Sequence, residues 1–560
     1  MTTESTLAKL RPASEVMRLK RLGSSFPTRL SFMRILLRQL NAEAAVVTRT
    51  VWQIDDEGYG RAVYSVGLGR HTYSLVAFST KLSPENRTDR VIAEAWDATF
   101  VLFDGVPDSS DLDRLAANAP LQEAGRFTSR EIVLCRANKS VRMFEHVVEC
   151  LAEGKQPDRD MVQSVGYLMR TTAVYGNGKF GIADRALIAN RSGLSGPFAA
   201  EMLAVWLVRG FTHDLVEHVA QNRGRGKFTP LAASLKRHFG IGNATGLGMA
   251  PYLVSHPALF NNWIHARETA LARVRSVSVV SEEVRPQILG LLERVSKHLV
   301  QWKVEDALQM ERILILREEW QGLCVVANSK WLAEPAIWDR LLAYSQDLSQ
   351  EFQELIVALV LELNGDLVDD LADTMAAQSR GRFDPGMTVQ ELSGLILQDF
   401  TWALEIDFKS RKQQQQFWYV SEDKQEPRLG DRFAEDGAEL ESPLDIARRI
   451  QDLAADLNES DEALSLAEFL MEFPEHRYVV RRVQLAQSRP YSELRDNLIA
   501  DDCLPIDMLR CKLAFFGASK FDPKSDRWTR INMYQGAPLF ADIARADADD
   551  WWLPVLEDTQ

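Results

Sequence analysis

The sequence predicts an α+β protein that is predominantly α-helical: an N-terminal antiparallel sheet with a packed helix, followed by a large multi-helix body. Three observations predict it. Between residues 44 and 135, β-branched and aromatic residues gather in short runs. From about Ser140 onward, apolar residues recur with helical spacing. No repeat of fixed period interrupts either pattern.

Taken in order, residues 1–24 read as a flexible arm. A helix is expected from Thr28 to Leu40, where Leu30, Met33, Ile35, Leu36 and Leu40 form an apolar stripe. The strands expected next are 44–54, 61–68, 71–79, 98–105 and 131–135, with Gly67 and Gly69 supplying a tight turn between the second and third. Residues 25–138 are therefore assigned to one antiparallel α/β domain. Helices follow at 141–153, 158–172, 197–210, 258–275, 284–300, 305–318 and 351–377, within a helical domain spanning 139–420. The segment 421–442 has almost no apolar content and reads as an acidic linker. Residues 443–560 form a C-terminal helical region, with Trp551 and Trp552 expected to tuck back against the body.

A chain of 560 residues needs more than one packing unit. Its net charge of −14 is concentrated: residues 421–470 hold 15 acids against five bases, leaving a body near neutrality. No basic face advertises nucleic-acid binding. Five scattered cysteines form no CxxC pair, the N-terminal segment lacks a signal-peptide core, and the run Leu355–Leu361 is far short of the roughly 20 residues that span a bilayer. The expectation is a cytoplasmic, soluble protein that engages neither membrane nor nucleic acid, with a homo-oligomer compatible with the sequence.

Two glycine-rich segments suggest chemistry. Gly176, Asn177, Gly178 and Lys179 offer backbone N–H groups beside one ammonium, an arrangement suited to an anion. Ala173 and Phe180 exclude a Walker A loop, and no buried strand is expected before it; a tight helix–helix connection is the competing reading. The second segment, Gly240 to Gly248, contains Asn243 and has a GxGxxxG spacing without the βαβ context of a dinucleotide loop. It reads as a helix cap followed by an extended crossing, or as backbone approaching a ligand.

Downstream, Asn261, His265 and Glu268 share one helical face. Such a stripe is solvent-exposed, internally hydrogen-bonded, or the wall of a site. In the last case His265 is a candidate acid/base, Glu268 its orienter, and Asn243 and Asn261 substrate-binding groups, with Arg170 or Arg185 adding charge. Glu362, Asp366, Asp370 and Asp373 also share a helical face and want cations: metal, arginine or lysine, or water. Residues 369–373 have the DDxxD form that binds magnesium–diphosphate in helical isoprenoid synthases, but five residues without a second aspartate motif do not establish resemblance. Asp366, Asp370 and Asp373 are accordingly weak metal candidates, and no metal is favoured. His213–Glu217 and Asp214–His218 fit no zincin order and read as surface pairs; Cys324 reads as an inert thiol.

The functional expectation is an enzyme of small-molecule metabolism acting on an anionic substrate, phosphate- or carboxylate-bearing, of undetermined reaction type. A non-catalytic helical scaffold or regulatory interaction protein is the alternative. A divalent-metal-dependent enzyme using the 362–373 carboxylates is a further one. Flavin, haem or another cofactor is not specified by any motif.

Overall fold

The computed structural model describes residues 10–81, 96–119, 128–175, 190–191, 193–246, 256–278, 280–327, 330–375, 383–410, 418–420, 427–429, 446–494, 504–525, 528–545 and 551–557. The fold is α+β and helix-rich, organised on a nine-stranded sheet. Its first strands follow from the β-branched runs: β1 (Val47–Ile54), β2 (Gly60–Leu68), β3 (His71–Ser79), β4 (Ala98–Asp104) and β5 (Glu131–Lys139) form an antiparallel meander. Gly69, with φ of 59°, takes the left-handed position in the β2–β3 turn, while Gly67 lies in β2 opposite Thr72.

The sheet does not stop at residue 138. β6 (Tyr167–Tyr175) pairs antiparallel with β5, and β7 (Gly240–Gly246) runs parallel to β6. A short hairpin, β8 (Trp418–Val420) with β9 (Pro427–Leu429), lies outside this sheet and involves part of the expected linker. From the C-terminal region, β10 (Lys520–Pro523) and β11 (Trp528–Met533) complete the order β1-β2-β3-β4-β5-β6-β7-β11-β10. The helix expected over 158–172 is therefore a short helix, Arg159–Val165, followed by β6. Thr171, Thr172, Val174 and Tyr175 are β-formers, and Gly166 (φ 71°) turns the chain between the two elements. A Cβ at Gly166 would lie 2.3 Å from Gln535 Nε2, so the close approach of the C-terminal segment also requires glycine there.

The second glycine segment is β7 itself, not a helix cap. At Gly242 an added Cβ would come within 2.7 Å of the Tyr167 ring, which lies across the strand. The structure thus uses this glycine to seat an aromatic ring on the sheet.

The Ala199–Gly224 helix crosses one sheet face and buries Phe211 against Tyr64, Phe100 and Trp52. On the other face, the Ser109–Asn118 helix packs Leu112 and Leu115 against Val63, Val76, Val101 and Phe103. Its start is held by a capping box between Asp108 and Asp111.

The helical body includes Pro257–Arg275, Val284–Gln301, Ala307–Ala327 and Gln350–Glu362. The single helix expected over 351–377 is broken after Glu362: Gly365–Val368, a 3₁₀ turn at Asp369–Leu371 and Ala372–Met375 succeed it. Residues 10–24, expected within the flexible arm, instead form helices Ala13–Val16 and Leu19–Leu22 and bury Val16, Met17, Leu19 and Leu22. The short apolar spacing of that segment is satisfied only by distant partners, chiefly the Pro505–Phe516 and Gln350–Glu362 helices. Trp551 and Trp552 are fully buried, against the body as expected. Among the described residues, no helix is long and apolar enough to cross a membrane.

Candidate functional site

The residues singled out from the sequence do not assemble into one site. His265 is exposed on the Pro257–Arg275 helix, its Nδ1 3.4 Å from Thr269 Oγ1. Glu268 is 1% exposed, and both its oxygens accept from Arg11: Nε donates at 2.7 Å and Nη2 at 2.6 Å. Glu268 therefore holds Arg11 and does not orient His265. Asn261 accepts the Tyr491 backbone N–H at 3.0 Å, and Tyr491 in turn donates its hydroxyl to the Arg11 carbonyl at 2.7 Å. The polar stripe on this helix fastens two distant chain segments. Asn243 donates to Thr171 Oγ1 at 3.0 Å, linking β7 to β6. Gly176, Asn177, Gly178, Lys179 and Arg185 lie outside the described residues, although β6 leads directly into them.

The acidic stripe meets arginines, one of the outcomes its charge demands. Glu362 accepts from Arg34 at 2.7 and 3.1 Å, Asp369 from Arg29 twice at 2.6 Å, and Asp370 from Arg273 at 2.6 Å. Asp366 and Asp373 are exposed. The break after Glu362 removes the common helical face on which the three metal candidates rested. Among the described residues, the group whose ligand atoms could surround a metal is instead Asp456, Glu475 and His476, with His476 Nε2 2.6 Å from Asp456 Oδ2. That contact also stands as an ordinary tie between two helices.

The remaining sequence candidates are structural. Asp214 accepts from Arg49 and Tyr64, and Glu217 from Lys236 at 2.8 Å. His213 is buried, and desolvation holds its imidazole neutral. Partial burial raises the Cys324 thiol, which leaves it unreactive.

Among the described residues, two of the cavities are large enough to hold a small molecule. The smaller, about 390 Å³, contains Glu268. Its charges are engaged within the protein: Arg11 with Glu268, Arg21 with Glu15, Arg275 with Asp339, Glu354 with the adjoining buried Arg510, and Arg267 with the backbone carbonyls of Arg21 and Leu22.

The larger, about 650 Å³, opens on the sheet where β6, β7, β11 and β10 lie side by side. Alternation along β6 sends Met169 and Thr171 toward the Ala199–Gly224 helix and Arg170 to the opposite face; Thr212 of that helix donates to Met169 Sδ. Register carries the same face across the neighbours. Arg170 stands beside Gly242, Gly242 beside Asn532, and Asn532 beside Lys520. Two residues further along, Arg530 stands between Ala244 and Asp522. The Ser109–Asn118 helix covers this face over β2–β5, but over β6–β7–β11–β10 the cavity occupies it.

Lys139, Arg142, Arg170, Lys520, Lys524 and Arg530 line this cavity against Asp97, Glu145, Glu305 and Asp522. Lys524 is satisfied by Asp522 at 2.7 Å and Glu305 at 2.9 Å, and Glu145 is matched by Arg223 outside the cavity. The Glu305 carboxyl is held below its ordinary range first by Lys524, with Arg530 and Arg142 adding to the effect, which places these cations around one volume. Arg170 and Arg530 have no hydrogen-bond or ion-pair partner for their guanidinium groups among the described residues. Lys520 donates to the carbonyls of Gln163 (2.6 Å) and Ser164 (3.2 Å). Desolvation brings its ammonium down to about 8, and neighbouring Asp522 opposes that shift.

Of this set, sequence reasoning had noticed only Arg170. A signal was present: in Trp528–Met533, Arg530 and Asn532 alternate with Ile531 and Met533, and Lys520 and Asp522 are two apart. The helical pattern that dominates the region after residue 443 masks it.

No protein-family model matches the chain, and neither the curated proteins nor the solved structures contain a significant match.

Proposed function

We propose that this protein binds a small anionic molecule, phosphate- or carboxylate-bearing, in the cavity on the open face of β6, β7, β11 and β10. One observation carries the reading: Arg170 and Arg530 stand on the same sheet face, line the same cavity, and have no ion pair or hydrogen bond among the described residues. A half-buried guanidinium without a partner is costly, and an anion arriving between two of them supplies charge-assisted hydrogen bonds that protein groups do not. A cavity of about 650 Å³ has the size of a small-molecule site.

The expectation of an enzyme of small-molecule metabolism moves with the cavity, away from His265 and Glu268. Lys520 is the group beside the bound anion able to exchange a proton near neutral pH.

The test is calorimetric titration of the full chain with phosphate- and carboxylate-bearing molecules, repeated on Arg170→Gln and Arg530→Gln. Binding that weakens in both variants supports the reading. A ligand held equally by all three proteins has its site elsewhere.

A further inference from the structure

Resting on that reading, we infer that the cavity selects a dianion, specifically a phosphate monoester, over a singly charged carboxylate or phosphodiester.

The charge of the lining carries this. Six cationic side chains face four carboxylates, a surplus of two. The carboxylates are already engaged. Asp522 and Glu305 hold Lys524, Glu145 is matched by Arg223, and Asp97 Oδ2 accepts the Lys139 backbone N–H at 2.7 Å. None of these acids has to release its partner for a ligand to bind.

The two guanidinium groups that are unpaired among the described residues are arranged for one group with several acceptor oxygens. Arg170 on β6 and Arg530 on β11 are separated by the single strand β7, a lateral distance of about 9.5 Å between backbones. Side chains of that length can converge on a common centre above β7. Gly242 and Ala244 contribute no long side chain there, and the Tyr167 ring seated on Gly242 lines the same cavity. Two planar guanidinium forks match the oxygens of a phosphate, which offers three unesterified acceptors; a carboxylate offers two and saturates one fork. Val141, 95% exposed beside Arg142, and Val165 give the rim apolar contact, suited to the organic part of an ester.

The experiment uses the full chain and three probes carrying the same ring: phenyl phosphate, methyl phenyl phosphate and benzoate. At pH 7.5 phenyl phosphate is expected to bind about tenfold or more tightly than either singly charged probe, the effect of one further charge-assisted interaction. Lowering the pH to about 5 protonates the monoester, whose second ionisation lies near 6, and should bring its affinity down to that of the diester. Arg170→Gln and Arg530→Gln should each lower phenyl phosphate affinity about tenfold or more and shrink its advantage over methyl phenyl phosphate. Melting temperatures of the variants, measured alongside, separate lost binding from lost folding, and Arg530→Lys should retain part of the affinity because it keeps the charge.

Equal affinity for the two phosphates, or benzoate binding as tightly as phenyl phosphate, overturns the dianion while leaving an anion site in place. An advantage for phenyl phosphate that persists unchanged at pH 5 also overturns it. Absence of binding by all three probes at millimolar concentration overturns both this inference and the reading beneath it.

Discussion

The cavity around Glu268 and the cavity over β6, β7, β11 and β10 both set cationic side chains, arginines in each, against aspartate and glutamate, yet they do opposite things with them. Around Glu268, three of the lining arginines each meet a lining carboxylate, Arg267 donates to backbone carbonyls, and Glu354 is met by Arg510. Over β6, β7, β11 and β10, cations outnumber acids, and Arg170 and Arg530 have no partner among the described residues. Residue type and burial alone would have favoured the first cavity, since it holds the more deeply buried carboxylate. Pairing favours the second. A charge whose partner is already in the structure is part of the fold, whereas a charge without one is available to a ligand.

Removing a partner from the closed network should have the largest effect on stability. Arg510 is 1% exposed and faces Glu351, Glu354 and Asp507. Arg510→Leu strands those carboxylates and should cost about 3–5 kcal/mol, measured by urea unfolding. A loss under about 1 kcal/mol would erase the distinction between the cavities. Glu268→Gln should cost less, about 1.5–3 kcal/mol, because it ends a charge-assisted fork but keeps an acceptor for Arg11, itself only partly buried.

The same network predicts a pH slope. Burial, with the Glu351 charge adding to it, pushes the Glu354 carboxyl up from 4.5 to about 8 against the pull of Arg510. The folded state therefore keeps a proton that the unfolded state has lost between those values. That contribution to stability is complete below about 4.5 and declines as pH rises toward 8. Urea midpoints of the native chain at pH 5, 6.5 and 8 should fall more steeply than those of Glu354→Gln. Parallel slopes would show that Glu354 ionises normally.

The open cavity should respond differently. Arg170→Gln and Arg530→Gln remove repulsion and, among the described residues, no partner, so stability should change by no more than about 0.5 kcal/mol, or rise, while anion binding weakens. A destabilisation comparable to that of Arg510→Leu would mean these arginines are structural after all. The smallest effect is expected at the acidic stripe. Asp370 is exposed and paired to Arg273, so Asp370→Asn should cost at most about 1 kcal/mol, and added magnesium should leave the melting temperature of both proteins unchanged. A magnesium-induced rise that Asp370→Asn abolishes would return the stripe to the metal candidates.

Much of the fold was legible from local pattern. The runs at 44–54, 61–68, 71–79, 98–105 and 131–135 became β1 to β5, because β-branched and aromatic residues bounded by turn residues have few other packing solutions. Apolar spacing likewise announced the helices at 258–275 and 284–300. The site was far less legible. Arg170 sat inside a stretch taken for a helix, and Lys520 and Arg530 lay hundreds of residues away in a region taken to be helical throughout. Asn261 and Glu268 looked functional because a buried polar stripe is unusual; only their partners, Tyr491 and Arg11, show that the stripe fastens the fold.

By itself, the sequence determined the helix-rich α+β class, the first five strands and the charge concentrated in residues 421–470, since each depends on neighbours close along the chain. Tertiary structure alone decided that β6 and β7 lie parallel, that β10 and β11 complete their sheet, and that Arg170 and Arg530 share its open face. It also decided which charges find partners. Hydrogen bonding between strands and pairing between ions act across space, and separation along the chain neither requires nor forbids them.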